Sequence, residues 1–186
     1  MLILKLLVFA IPPTISAILH MVVVKYNWFS ILNYPLDFYK KIGNKRIFGN
    51  SKTFRGLLAM VILSVPSTYL LYWLTKNYES IYSLNIINFE TFSPLVIGIA
   101  YGLGYVIAEL PNSFAKRISG IEEGKPGKYY NVMIDQADSP IGCMLALWAF
   151  SDMNIMFFIA GTFFYLALHM FFNVLLYSIG LRKNPL

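Results

Sequence analysis

Long apolar runs separated by short charged clusters set the pattern of this chain. The first run, Leu6 to Val24, follows a single charge at Lys5 and carries Pro12-Pro13 at its centre. Proline has no N–H to give its helix, so the pair predicts a kink. No small-x-small cleavage site follows, and the segment reads as a retained helix, not a signal peptide. The second run, Gly56 to Leu74, opens directly after Arg55 and stops at Thr75-Lys76-Asn77. The third, Phe92 to Ala108, holds Gly98 and Gly102 four residues apart, a spacing that suits close helix packing. From Pro140 to Gly180 the chain is apolar except for Ser151-Asp152-Met153-Asn154, which predicts a tight turn between two antiparallel helices. The later of these, Ile155 to Gly180, is amply long. The earlier has only the stretch Pro140 to Phe150, too short to cross ~30 Å of hydrocarbon. It reaches that length only by starting near Val132, which carries Asp135 and Asp138 into its first turns.

Composition fits five such spans. Hydrophobic residues make up 58% of the 186 positions, and five spans of ~20 residues would use most of them. Charged residues are 13%, about half the share of a soluble domain, so one water-soluble core is excluded. Cys143 is the single cysteine and forms no internal disulfide. Of 15 Lys and Arg residues, all but Lys5 and Lys76 fall in three segments: Lys25 to Arg55, Lys116 to Lys128, and Arg182-Lys183. Basic loops stay in the cytoplasm. The expected architecture is therefore an all-α integral membrane protein of five transmembrane helices, with the N-terminus outside and the C-terminus cytoplasmic. Residues 1–186 form one transmembrane domain with cytoplasmic loops at about 25–55 and 110–134. The net charge of +6 follows from topology and anionic headgroups and calls for no nucleic acid.

Two of the inner segments hold the candidate chemistry. In the first, Gly49, Asn50 and Ser51 precede a helix start, where turns and N-caps are common and free N–H groups attract phosphate. Lys52 and Arg55, three apart, are expected to share a face of the first helical turn. Cations there oppose the helix dipole, which argues for a ligand. The spacing is not that of a Walker loop, and an interfacial basic anchor explains the same residues without a ligand. In the second segment Glu109 ends the third run, while Asp135 and Asp138 share one helix face at i,i+3. Carboxylates at membrane depth cost several kcal/mol unless paired or bound to metal. A hard divalent ion such as Mg²⁺, shared with substrate phosphates, fits, with Asp135, Asp138 and Glu109 as its ligands. Capping and pairing with Lys116 or Arg117 would explain either aspartate alone, but not both together with Glu109. His20, His169 and Asn173 lie inside spans. The last two, at i,i+4, suit hydrogen bonds between helices.

Three stretches together resemble the CTP-dependent phosphatidate cytidylyltransferase superfamily, and most closely its small CDP-archaeol synthase branch. They are Arg46-Ile47-Phe48-Gly49-x-x-Lys52-Thr53-Phe54-Arg55-Gly56, Ser113-Phe114-x-Lys116-Arg117-x-x-Gly120-Ile121 and Asp135-Gln136-x-Asp138. The resemblance implies transfer from CTP to a lipid phosphate, giving CDP-lipid and pyrophosphate with Mg²⁺ at the cytoplasmic face of the cell membrane. By the same resemblance Asp135 and Asp138 hold the metal and CTP phosphates. Lys52, Arg55, Lys116 and Arg117 are the catalytic cations, and Asn50, Ser51, Thr53 and Ser113 bind substrate. The partners implied are CTP and a lipid phosphate, with a homodimer left open. Where the family usually has Gly-Asp, this chain has Ala108-Glu109. The competing expectations are a small membrane transporter, for which no internal repeat is visible, and a non-catalytic diverged homologue.

Overall fold

The computed structural model describes residues 1–123, 125, 127–182 and 184; Lys183, one of the basic residues expected inside, lies outside them. Seven helices are described: α1 Leu2–Phe9, α2 Ile11–Lys25, α3 Phe54–Asn77, the single turn α4 Glu79–Tyr82, α5 Pro94–Ile118, α6 Tyr129–Trp148 and α7 Ile155–Ser178. A two-residue antiparallel hairpin, β1 Lys41–Ile42 with β2 Lys45–Arg46, is the one addition to the all-α expectation among the described residues. Helices α3, α5 and α7 are long and apolar enough to cross a membrane, and α1 with α2, bent by 42°, make a fourth such element if taken together. The 20 residues of α6 rise about 30 Å. Its N-terminal half carries Asn131, Asp135, Gln136, Asp138 and Ser139, so it lacks the sustained apolarity of the others.

The bend between α1 and α2 follows from the two prolines. Pro12 and Pro13 have no N–H for the carbonyls of Val8 and Phe9 four residues earlier. The Phe9 carbonyl is not left orphaned: the hydroxyls of Tyr101 on α5 and Tyr165 on α7 both donate to it at 2.8 Å. The Phe9 ring packs edge-on against Phe157 and Tyr165, so the broken backbone sits at the centre of the apolar core. Pro140 in α6 does the same to Gln136. Its carbonyl meets His169 Nδ1 at 3.1 Å, while Asn173 Nδ2 donates to Gln136 Oε1 at 2.6 Å. The expected interhelical bonds of His169 and Asn173 are thus made. Gly98 and Gly102 let α5 lie directly on α3; a Cβ at Gly102 would come within 2.5 Å of Val61 Cα.

Both ends of the loop expected at 110–134 differ from expectation, since α6 already begins at Tyr129. Residues 110–118, expected as loop, continue α5 through Pro111 to Ile118. The polar residues that leave the apolar run stay helical because they find partners on α6: Asn112 and Lys116 both bond Asp135. Lys116 and Arg117 also suit the negative end of the helix dipole. The basic segments gather at one end of the bundle. There Lys25 Nζ donates to the Gly180 carbonyl at 2.7 Å, Lys45 to the Ile118 carbonyl, and the Asn50 N–H to Glu123 at 3.0 Å. The α3–α5 and α6–α7 connections meet at the opposite end, where the Asp152 N–H donates to Ile86 O at 3.0 Å.

Candidate active site

The loop before α3 is folded around one buried carboxylate. Asp37 takes a two-pronged bond from Arg46, Nη2 to Oδ1 and Nε to Oδ2, and accepts the N–H groups of Phe48 at 3.0 Å and Gly49 at 3.1 Å. Burial alone would raise its pKa. The bonds from Arg46, Phe48 and Gly49, together with the Arg46 charge, outweigh that and hold it at about 2. Gly49 is left-handed at φ +91°, and a Cβ there would collide with Glu123 at 2.5 Å. Farther on, Leu36 N–H to Lys52 O and Phe54 N–H to Tyr34 O seam the loop to the start of α3, whose N-cap is Thr53. The outcome of this wrapping is the placement of Ser51 and Lys52.

Lys52 crosses from that loop to α5 and pairs with Glu109, whose other oxygen accepts from Ser139 Oγ at 2.6 Å. Burial disfavours the ammonium, but the charge and hydrogen bond of Glu109, with Asp138 and Asp135 beyond, hold the Lys52 pKa above its ordinary value. One turn along α5, Asn112 Nδ2 bridges the two aspartates of α6, reaching Asp135 Oδ1 at 2.6 Å and Asp138 Oδ2 at 3.0 Å. Lys116 Nζ grips both oxygens of Asp135 at 2.6 and 2.8 Å. Lys52, Glu109, Lys116, Asp135 and Asp138 line a cavity of about 790 Å³, with Asn112 and Ser139 bonded to them from behind. Apolar side chains join them, Ala17, Ile18 and Met21 from α2 and Leu168, Phe172 and Leu176 from α7, interspersed with Thr14 and His20 on α2 and His169 and Asn173 on α7.

Of the residues singled out in the sequence, Ser51, Lys52, Glu109, Ser113, Lys116, Arg117, Asp135 and Asp138 line this cavity. Asn50, Thr53 and Arg55 are not in its wall. Thr53 caps α3, Asn50 accepts from Arg46 Nη1 at 2.9 Å, and Arg55 is buried with Nη1 on Asn27 Oδ1. Lys52 and Arg55 do not share a helix face, because α3 starts between them at Phe54 and only Arg55 is helical. Nor do the three carboxylates converge: among the described residues no three acidic, histidine or cysteine side chains gather around a metal-sized space. Glu109 is turned to Lys52 and Ser139, which leaves Asp135 and Asp138, held side by side by one amide, as the oxygen pair suited to a divalent ion. Asp37, Asn112, Ser139 and Arg182 are the site residues that spacing alone did not single out. Only Asp37 carried a local signal, its place in a Pro-x-Asp turn.

A family model described as CarS-like, CDP-archaeol synthase, matches residues 1–186. The chain belongs to this family. Two relatives named CDP-archaeol synthase illustrate the distance within it. One from Sulfolobus acidocaldarius is 27% identical over 153 residues, covering 81% of this chain and 82% of the relative. Another from Methanoregula boonei is 27% identical over 164 residues, covering 81% and 88%. A solved structure described as an intramembrane enzyme for archaeal membrane lipids biosynthesis superposes with a TM-score of 0.64 at 22% identity. It covers 90% of this chain and 91% of that one, a likeness of fold. In this member of the CDP-archaeol synthase family the three motif stretches, far apart in sequence, each supply residues to one cavity wall.

Proposed function

We propose that this protein is a CTP-dependent cytidylyltransferase converting an archaeol-type ether lipid phosphate into CDP-lipid with release of pyrophosphate. The observation that carries the proposal is the cavity itself, in which carboxylates and cations share one wall with the apolar side chains Ala17, Ile18 and Met21 of α2 and Leu168, Phe172 and Leu176 of α7. A soluble, highly charged nucleotide and a membrane-anchored phosphate need such a meeting place. In the reaction an oxygen of the lipid phosphate forms a bond to the α-phosphorus of CTP. The bond from that phosphorus to the bridging oxygen of the β-phosphate breaks, and pyrophosphate leaves with the electron pair. Such transfers need little from the protein beyond alignment and charge neutralisation.

The chain supplies both. Asp135 and Asp138 would hold Mg²⁺, which when bound supplies positive charge to the phosphates of CTP. Arg117, whose buried Nε has no partner among the described residues, and Lys116 line the cavity from the end of α5. Lys52 stays charged through Glu109 and sits opposite them. Arg182, just beyond α7, adds a further cation to the wall.

The membrane arrangement belongs to the same proposal. α6 is the fifth span, its polar half shielded by α5 and α7, with the basic end of the bundle in the cytoplasm of a cell membrane. Thiol labelling of Asn44→Cys and Lys125→Cys from inside, and of Asn88→Cys from outside, is the expected pattern; external labelling at Asn44→Cys would reverse the topology. Incubating purified protein with labelled CTP, Mg²⁺ and a panel of lipid phosphates tests the reaction. CDP-lipid and pyrophosphate should form in equal amounts, fastest with a diether glycerol phosphate, and chelation of divalent ions should stop both. No product from any lipid phosphate would refute the proposal.

A further inference from the structure

Helix α2 gives the cavity a mainly apolar wall: Pro13, Ala17, Ile18, Met21 and Val24 line it together with Thr14. His20 interrupts that wall. Its Nε2 is buried and has no hydrogen-bond partner among the described residues. It lies beside the first turn of α3, where a Cβ on Gly56 would meet Nε2 in ordinary van der Waals contact at 3.6 Å. Glu109, Lys52 and Arg55 are near enough to act on it electrostatically. His20 therefore stands where the apolar residues of α2 meet the charged groups at the start of α3 and on α5. A buried polar nitrogen without a partner is unfavourable, and native structures supply one from protein, water or ligand.

We infer that His20 binds the lipid substrate, its Nε2–H donating a hydrogen bond to the headgroup phosphate. The inference rests on the function proposed above and adds a residue to it. Phosphate oxygens in a dianion only accept, so the imidazole must carry its proton on Nε2 when the lipid is bound. The assignment to the lipid and not to CTP follows from the wall. A chain lying along Ala17, Ile18 and Met21 brings its phosphate to His20, whereas the nucleotide phosphates belong at the aspartates and Lys116.

The test is direct binding in nanodiscs without CTP, using a di-O-phytanyl glycerol phosphate and the same diether lacking its phosphate. The wild type should bind the phosphate lipid more tightly. His20→Ala should weaken that lipid about tenfold or more, the scale of one lost bond to a charged acceptor, and leave the phosphate-free diether unchanged. His20→Gln, which keeps a donor at similar reach, should recover most of the affinity, and CTP binding should be unaffected in both variants. Unchanged phosphate-lipid binding in His20→Ala, or equal weakening for both lipids, would overturn the inference. Turnover separates the two layers. An active wild type whose His20→Ala variant binds normally removes the role of His20 and keeps the reaction. An inactive wild type showing His20-dependent phosphate binding removes the reaction and keeps the site.

Discussion

At the scale of single residues, the site depends on groups that do not touch the cavity. Asp37 is the clearest case, because its five hydrogen bonds, the Tyr39 N–H included, shape the loop that delivers Ser51 and Lys52. Asp37→Asn keeps the shape and removes the charge. It should lower turnover about tenfold, ~1.4 kcal/mol of transition-state binding, with KM for CTP little changed. Its pH signature has a fixed sign. The carboxyl titrates at about 2 when folded against a reference of 3.8, so its stabilisation is complete above that reference and fades as pH falls toward 2. Melting temperatures of wild type and Asp37→Asn should therefore differ by a constant amount from pH 5 to 8 and converge below pH 4. A difference that grows on acidification would contradict the role given to Asp37. The same scale shows what a sequence can disclose. Asp135 and Asp138 were legible because helical spacing and membrane depth make two such carboxylates expensive. The i,i+3 spacing of Lys52 and Arg55 implies a shared face only where both residues are helical, and Lys52 is not. The N-cap at Thr53 separates them, and Arg55 turns to Asn27 at the end of α2.

At the scale of elements, the prolines organise the interior by removing donors. Phe9 and Gln136 each lose an intrahelical donor, and each is served by side chains from other helices. These bonds tie α1 to α5 and α7, and α6 to α7, with directional contacts that lipid cannot replace. Tyr101→Phe or Tyr165→Phe alone leaves one hydroxyl on the Phe9 carbonyl and should cost about 1 kcal/mol. The double variant leaves that carbonyl bare and should cost more than the sum, by roughly 1–2 kcal/mol. A double-mutant cycle on unfolding in detergent measures this; strict additivity would mean that the carbonyl is satisfied otherwise. The kink and the small-residue packing were both visible in the sequence, since proline and glycine act locally. The extension of α5 to Ile118 was not. Pro111 and the polar residues after it look like a loop until α6 supplies Asp135 as a partner, and that pairing is tertiary.

At the scale of the whole molecule, a cavity lined by both charged and apolar groups is built where α2, α5, α6 and α7 meet at the basic end of the bundle. Placing the charges there explains the net charge of +6, the polarity of the first half of α6, and the presence of an apolar wall beside them. In the proposed reaction the two aspartates of α6 are where CTP is activated for attack by a lipid phosphate. The most direct measurement is CDP-lipid formation from labelled CTP and a diether glycerol phosphate by wild type, Asp135→Asn and Asp138→Asn, each reconstituted in vesicles and matched for folded protein. Wild type should turn over, and each variant should fall at least a hundredfold, about 2.7 kcal/mol or more, while phosphate-lipid binding without CTP is retained. Wild-type turnover in both aspartate variants, or turnover that survives complete chelation of divalent ions, would contradict the account.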